Sequence, residues 1–178
     1  RSSMNLVYST AFGQPYFFDL AQAMVDSLRA TYNEDECIIL TDRPHEFKGA
    51  RTVVLEMGDN DLWKAGVRKA VKCSDYEKIL FVDTDIFFVR DPKGLFRFKG
   101  ILAPHEPISV KASGLNRVFL TEKEREEWAD TPATNCGTLL MPGNEADEFL
   151  TKFEALWRKY PWKDMPDYWP ESKGFLTQ

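Results

Sequence analysis

Apolar residues along the first hundred positions alternate between two patterns. Short dense runs rich in β-branched residues predict buried strands, and stretches with apolar residues three or four apart predict helices. Asn5 to Ser9 (NLVYS) is the first dense run; the chain breaks at Gly13, and Pro15 opens a segment with Phe18, Ala21, Val25 and Leu28 at helical spacing. Cys37 to Leu40 (CIIL) and Thr52 to Leu55 (TVVL), bounded by polar or Gly/Pro residues, predict two more buried strands. A helix is expected over residues 61–73. Lys78 to Val82 (KILFV) is the most apolar strand of this half, and it runs into Asp83-Thr84-Asp85 and a second apolar run, Ile86 to Val89. Such alternation implies an α/β fold with a mostly parallel, open sheet flanked by helices.

Beyond residue 100 the rhythm changes. Ile101 to Ala103 predicts a short strand, and Pro104 to Asn116, without periodicity, reads as a loop. Thr121 with Glu124 makes a capping box for a helix through Trp128; a strand at Thr138 to Met141 and a helix from about Glu145 to Tyr160 follow. With no internal repeat, a single domain over residues 4–178 is expected, its second half (101–178) built onto the first (4–100). Arg1-Ser2-Ser3 before Met4 reads as a cloning scar.

Composition narrows the partners. The 178 residues are 43% hydrophobic and include 13 Phe, 6 Tyr and 5 Trp, enough for a sizeable core, which excludes disorder, collagen and coiled coil. The net charge of -5 and the absence of a visible basic cluster argue against nucleic acid. Cys37, Cys73 and Cys136 are odd in number and sit beside apolar or small residues, as reduced packing residues of a cytosolic-type protein do. No apolar stretch approaches the ~20 residues of a membrane span, and no signal peptide is legible. A cytoplasmic location is expected, the alternative being a soluble catalytic piece of a larger or membrane-anchored protein.

The sharpest feature is a strand that delivers two carboxylates one residue apart, Asp83 and Asp85. In an open α/β sheet, ligands bind outside the carboxyl ends of the strands. Residues i and i+2 of an extended chain face the same side, so both carboxylates can address one ligand. Hard oxygen ligands favour magnesium, manganese or calcium, which commonly bridge to a substrate diphosphate. A polar strand end capping a turn is the plain alternative. A phosphatase of the haloacid dehalogenase class is another, with Asp83 as nucleophile and Asp85 as acid/base. There the motif usually ends the first strand, whereas here about eighty residues of βα structure precede it.

The block KILFVDTDIFFVRDPKGLF resembles the DxD region of glycosyltransferases of the GT-A fold, nearest in appearance to glycogenin-like and galactosyltransferase-like enzymes. The resemblance implies a Rossmann-like sheet with a smaller acceptor-side part, so that 4–100 is the nucleotide-binding half and 101–178 the sugar and acceptor half. It implies Mn2+ or Mg2+ held by Asp85, with Asp83 on metal or ribose, and a nucleotide diphosphate sugar as donor. Thr10, Ala11 and Phe12 would line the base, Tyr16 would stack on uracil, and Asp42 and Arg43 would reach ribose or base. Lys64 and Arg68, four apart on the expected helix, are rival candidates for the diphosphate. Asn135-Cys136-Gly137 resembles the family's N-x-G strand, in which Asn binds sugar and Gly permits close approach.

Relatives of the glycogenin type carry an Asp-Gln pair and a late His. This chain has only His45 and His105, and Ser172-Lys173-Gly174 falls where Asp-Gln would be expected, so the third ligand and the stereochemical course stay open. Trp157, Tyr160, Trp162, Tyr168 and Trp169, broken by Pro161 and Pro166, could stack on an acceptor sugar; Glu106, Asp164, Asp167 and Glu171 are candidate bases for inversion. The expected activity is transfer from a UDP-sugar to a hydroxyl of a glycan or glycoprotein. The alternatives are the phosphatase and an inert nucleotide-sugar-binding module.

Overall fold

The computed structural model describes residues 4–56, 64–109, 121–127, 129–134 and 137–159. Strand β1 (Leu6–Ala11) leads through Gly13 into helix α1 (Pro15–Thr31), followed by β2 (Glu36–Thr41) and β3 (Arg51–Val54). Proline at the first helical position suits α1, because the missing N–H has no partner there in any case. Two short 3-10 turns, Lys64–Gly66 and Cys73–Asp75, flank α2 (Val67–Ala70), and β4 (Lys78–Val82) ends at the carboxylate pair. Then come α3 (Lys93–Phe96), β5 (His105–Ser109), α4 (Glu122–Glu127), β6 (Pro132–Thr134), β7 (Thr138–Pro142) and α5 (Gly143–Lys159).

The main sheet has five strands in the order β3-β2-β1-β4-β7, parallel throughout except for β7. Its alternation builds two cores. Leu6, Tyr8, Ile79, Phe81 and Met141 face Ala146 and Leu150 of α5, while Val7, Ala11, Leu80 and Val82 face Phe18, Met24 and Leu28 of α1. Each fully buried side chain of this kind contributes roughly 1.5–3 kcal/mol. Helix α5 can begin where it does only because residue 143 is glycine: a Cβ there would lie 2.0 Å from the Tyr76 carbonyl oxygen.

Three expectations change. The helix over 61–73 is, in its described part, interrupted: Val71 is extended, and a Cβ on Gly66 would meet Leu55 Cδ1 at 2.7 Å. The strand at 101–103 is one bridge, with Leu102 and Leu140 exchanging two 2.9 Å backbone bonds. Part of the expected loop, 105–109, is a strand paired with β6, which lies too far along the chain for local periodicity to reveal. The capping box holds: Glu124 N donates to Thr121 Oγ1 at 3.2 Å, and Thr121 N to Glu124 Oε2 at 2.9 Å. Cys37 and Cys73 are buried free thiols, both pushed up to about 12, chiefly by burial, as packing residues should be.

Candidate active site at the carboxyl edge of the sheet

Because β1, β2 and β4 run parallel, their carboxyl ends share one edge, and the amino end of antiparallel β7 arrives there too. Strand geometry stops at Val82. Asp83 N donates to the Gly137 carbonyl at 2.7 Å, and Ile86 N returns to the Asp83 carbonyl at 3.1 Å, closing a turn. The extended-chain argument for a shared face of Asp83 and Asp85 therefore fails, since the second carboxylate lies in a turn with Thr84 buried between them. The two remain close enough for Asp85 to act on Asp83 electrostatically.

Lys64 is only 8% exposed. Its Nζ lies 3.9 Å from Asp83 Oδ1 and 4.7 Å from the centre of the Phe81 ring. Tyr8 Oη donates to the Lys64 carbonyl at 2.9 Å, and its ring packs 5.1 Å from that of Phe81. A tyrosine in the middle of a buried strand needs a partner for its hydroxyl; that signal in β1 was readable, although the partner was not. Burial raises the pKa of Asp83, Lys64 lowers it and Asp85 raises it, leaving the net above the ordinary 3.8. An ionised pair in this setting is relieved by added positive charge, so Asp83 and Asp85 fit a divalent cation. Among the described residues no third His, Cys, Asp or Glu joins them.

Arg68 is elsewhere. Its guanidinium hydrogen-bonds Thr151 and pairs with Glu154, both on α5. Lys64 belongs to the 3-10 turn and Arg68 to α2, and their side chains reach different partners, Asp83 and Glu154, so the two cations do not serve one site.

Asp42 and Arg43 turn toward the β1–α1 loop. Gly13 N donates to Asp42 Oδ2 at 3.0 Å, and Arg43 Nη2 donates to the Gly13 carbonyl at 2.7 Å while holding Asp42. The bond from Arg43 is the main reason the Asp42 carboxyl is lowered. Gly13 has φ +72, a conformation natural to glycine, and no atom lies within 4 Å of where its Cβ would be. Of the residues expected to line a base, Ala11 is buried under α1, Phe12 packs toward the α5 core and Thr10 is half-buried. Tyr16 is 49% exposed, its ring centre 4.1 Å from that of Phe17. Asn135, Cys136, the Glu106 side chain and the aromatic, acidic tail from Tyr160 onward lie outside the described residues, as does the side chain of Trp157.

The chain superposes on solved structures of glycosyltransferases. The fold is that of the GT-A glycosyltransferases. An active-site mutant of LgtC superposes with a TM-score of 0.60 at 16% identity, over 93% of this chain and 66% of that one. Galactosyltransferase LgtC in complex with donor and acceptor sugar analogs gives 0.54 at 16%, covering 93% and 67%. The glycosyltransferase GlyE of Streptococcus pneumoniae TIGR4 gives 0.57 at 13%, covering 93% of this chain but 41% of its own. The chain thus spans between two-fifths and two-thirds of these structures. No family model and no curated protein matches the sequence. Among the described residues no helix is long and apolar enough to cross a membrane.

Proposed function

We propose that this chain carries the donor site of a glycosyltransferase, which moves a sugar from a nucleotide diphosphate, UDP in the simplest reading, to a hydroxyl of a glycan or glycoprotein. The observation that carries this reading is the buried Lys64 ammonium beside Asp83, at the ligand-binding edge of a GT-A sheet. Asp83 and Asp85 would hold Mn2+ or Mg2+, which when bound supplies Lewis-acid charge to the diphosphate. Lys64, fixed by Tyr8 and Phe81, stands to neutralise charge growing on the departing diphosphate without having to reorganise. The Asp42–Arg43 grip on Gly13 would hold the loop that meets the nucleoside, with the exposed Tyr16 ring offering a stacking face. The Gly137 carbonyl accepts from Asp83 N, which joins the start of β7, just after Asn135-Cys136 in the sequence, to the carboxylate turn. The Asn-x-Gly order of this segment is the ground for assigning the Asn135 amide to the sugar.

Calorimetric titration of UDP-sugars with and without Mn2+, together with assay of sugar release, tests the reading. Binding should strengthen with the metal and collapse in Asp85→Ala. Metal-independent binding that is equal in the variant, or phosphate release from simple phosphomonoesters without sugar release, overturns it. Asn135→Ala should weaken UDP-sugar binding while leaving UDP affinity near wild type.

A further inference from the structure

Six of the exposed large apolar residues of the described chain fall within residues 87–102: Phe87, Val89, Leu95, Phe98, Ile101 and Leu102. Their exposure belongs to an anchored segment. Ile86 and Phe88 turn inward to the α1 core, and Phe88 N donates to Ser27 Oγ at 2.9 Å, which leaves Phe87 half-exposed and Val89 88% exposed. Together with Leu80, Leu95 and Arg90 these residues wall an open groove of about 300 Å³. The same segment carries four cations, Arg90, Lys93, Arg97 and Lys99, against one carboxylate, Asp91, in a chain whose net charge is -5. Lys93 is paired with Glu34, but Arg90, Arg97 and Lys99 form no ion pair with the described residues.

We infer that residues 87–99 form a docking surface for an anionic lipid bilayer, inserting Phe87, Val89, Leu95 and Phe98 between headgroups while Arg90, Arg97 and Lys99 meet lipid phosphates and carboxylates. Exposed aliphatic and aromatic side chains beside cations that have no ion pair among the described residues match an interface with an apolar interior and an anionic rim. Duplex nucleic acid would use the cations but leave Val89 and Leu95 in water. A two-fold dimer through this face would bring the like charges of both copies together.

Sedimentation of the 178-residue chain with phosphatidylcholine vesicles, with and without phosphatidylserine, tests this independently of any nucleotide. Binding should require phosphatidylserine and weaken with salt. It should fall roughly fivefold for each of Arg90→Gln, Arg97→Gln and Lys99→Gln, and should also fall in Val89→Asp, with circular dichroism unchanged because these side chains are exposed. Binding that ignores phosphatidylserine, or equal binding by the charge variants or by Val89→Asp, overturns the inference. So does a dimer dissolved by Val89→Asp, or a duplex DNA shift, in the absence of vesicle binding.

Discussion

Lys64 Nζ and Asp83 Oδ1 lie 3.9 Å apart, the lysine buried and the carboxylate retaining 43% of its side-chain exposure. The attraction does not fully offset what burial and Asp85 impose, and the native pKa of Asp83 stays above its ordinary 3.8. The folded chain therefore holds this proton more firmly than the unfolded chain. The associated stability is fully present below 3.8 and is lost as pH rises through the raised native value.

Asp83→Asn should accordingly melt higher than wild type at neutral pH and equally below 3.8. The gain should not exceed about 2–4 °C, equivalent to about 1 kcal/mol for a chain of this size, because solvent screens a carboxylate this exposed. Adding Mn2+ should narrow the gap by stabilising wild type more than the variant, which keeps only Asp85 of the pair. Differential scanning calorimetry across pH checks it, and a lower neutral-pH melting point in the variant contradicts the electrostatic account.

Lys64→Ala should reduce sugar transfer by roughly 10²–10³-fold, with a much smaller effect on UDP affinity, if its charge acts mainly on the leaving group. Tyr8→Phe removes the side-chain hydrogen bond to the Lys64 carbonyl, a cost of about 0.5–1.5 kcal/mol in stability. Steady-state kinetics beside thermal denaturation separates the two effects; a Lys64→Ala enzyme of unchanged turnover removes the lysine from the chemistry.

Asp42→Ala removes the acceptor for Gly13 N, whereas Asp42→Asn keeps an acceptor and loses only the charge. The alanine variant should weaken UDP binding about tenfold or more, as loss of roughly 1.5 kcal/mol of loop order implies. The asparagine variant should retain most of the affinity. Equal losses in both would mean that Asp42 contacts the ligand through its charge.

Arg68→Ala should destabilise the fold by roughly 1–2 kcal/mol, since it unties α2 from Thr151 and Glu154 of α5. UDP affinity should be unchanged. Denaturant unfolding followed by nucleotide titration decides it, and a selective loss of nucleotide binding would return Arg68 to the donor site.

The five strands of the main sheet, and their order along the chain, were legible in the sequence because each depends on a local run. KILFV is too apolar to lie outside a core, and Thr121 finds its capping partner three residues away. The carboxylate pair was legible for the same reason, as two costly charges directly after such a run. The choice between Lys64 and Arg68 was not, because four-residue spacing assigns a shared face only within an unbroken helix. Here a 3-10 turn, Lys64–Gly66, passes into α2, Val67–Ala70, between the two residues, which changes their angular spacing. Likewise nothing local told Asp42 and Arg43 to reach back to Gly13, or brought β5 to β6. Sequence by itself determined which segments are apolar and which carry charge, but not which apolar runs are covered: the edge strand β3 was expected to be buried and is half-exposed. Parallel register, acting between residues thirty or more positions apart, decided which charges meet, because Coulomb and hydrogen-bond energies depend on distances that only the assembled sheet sets.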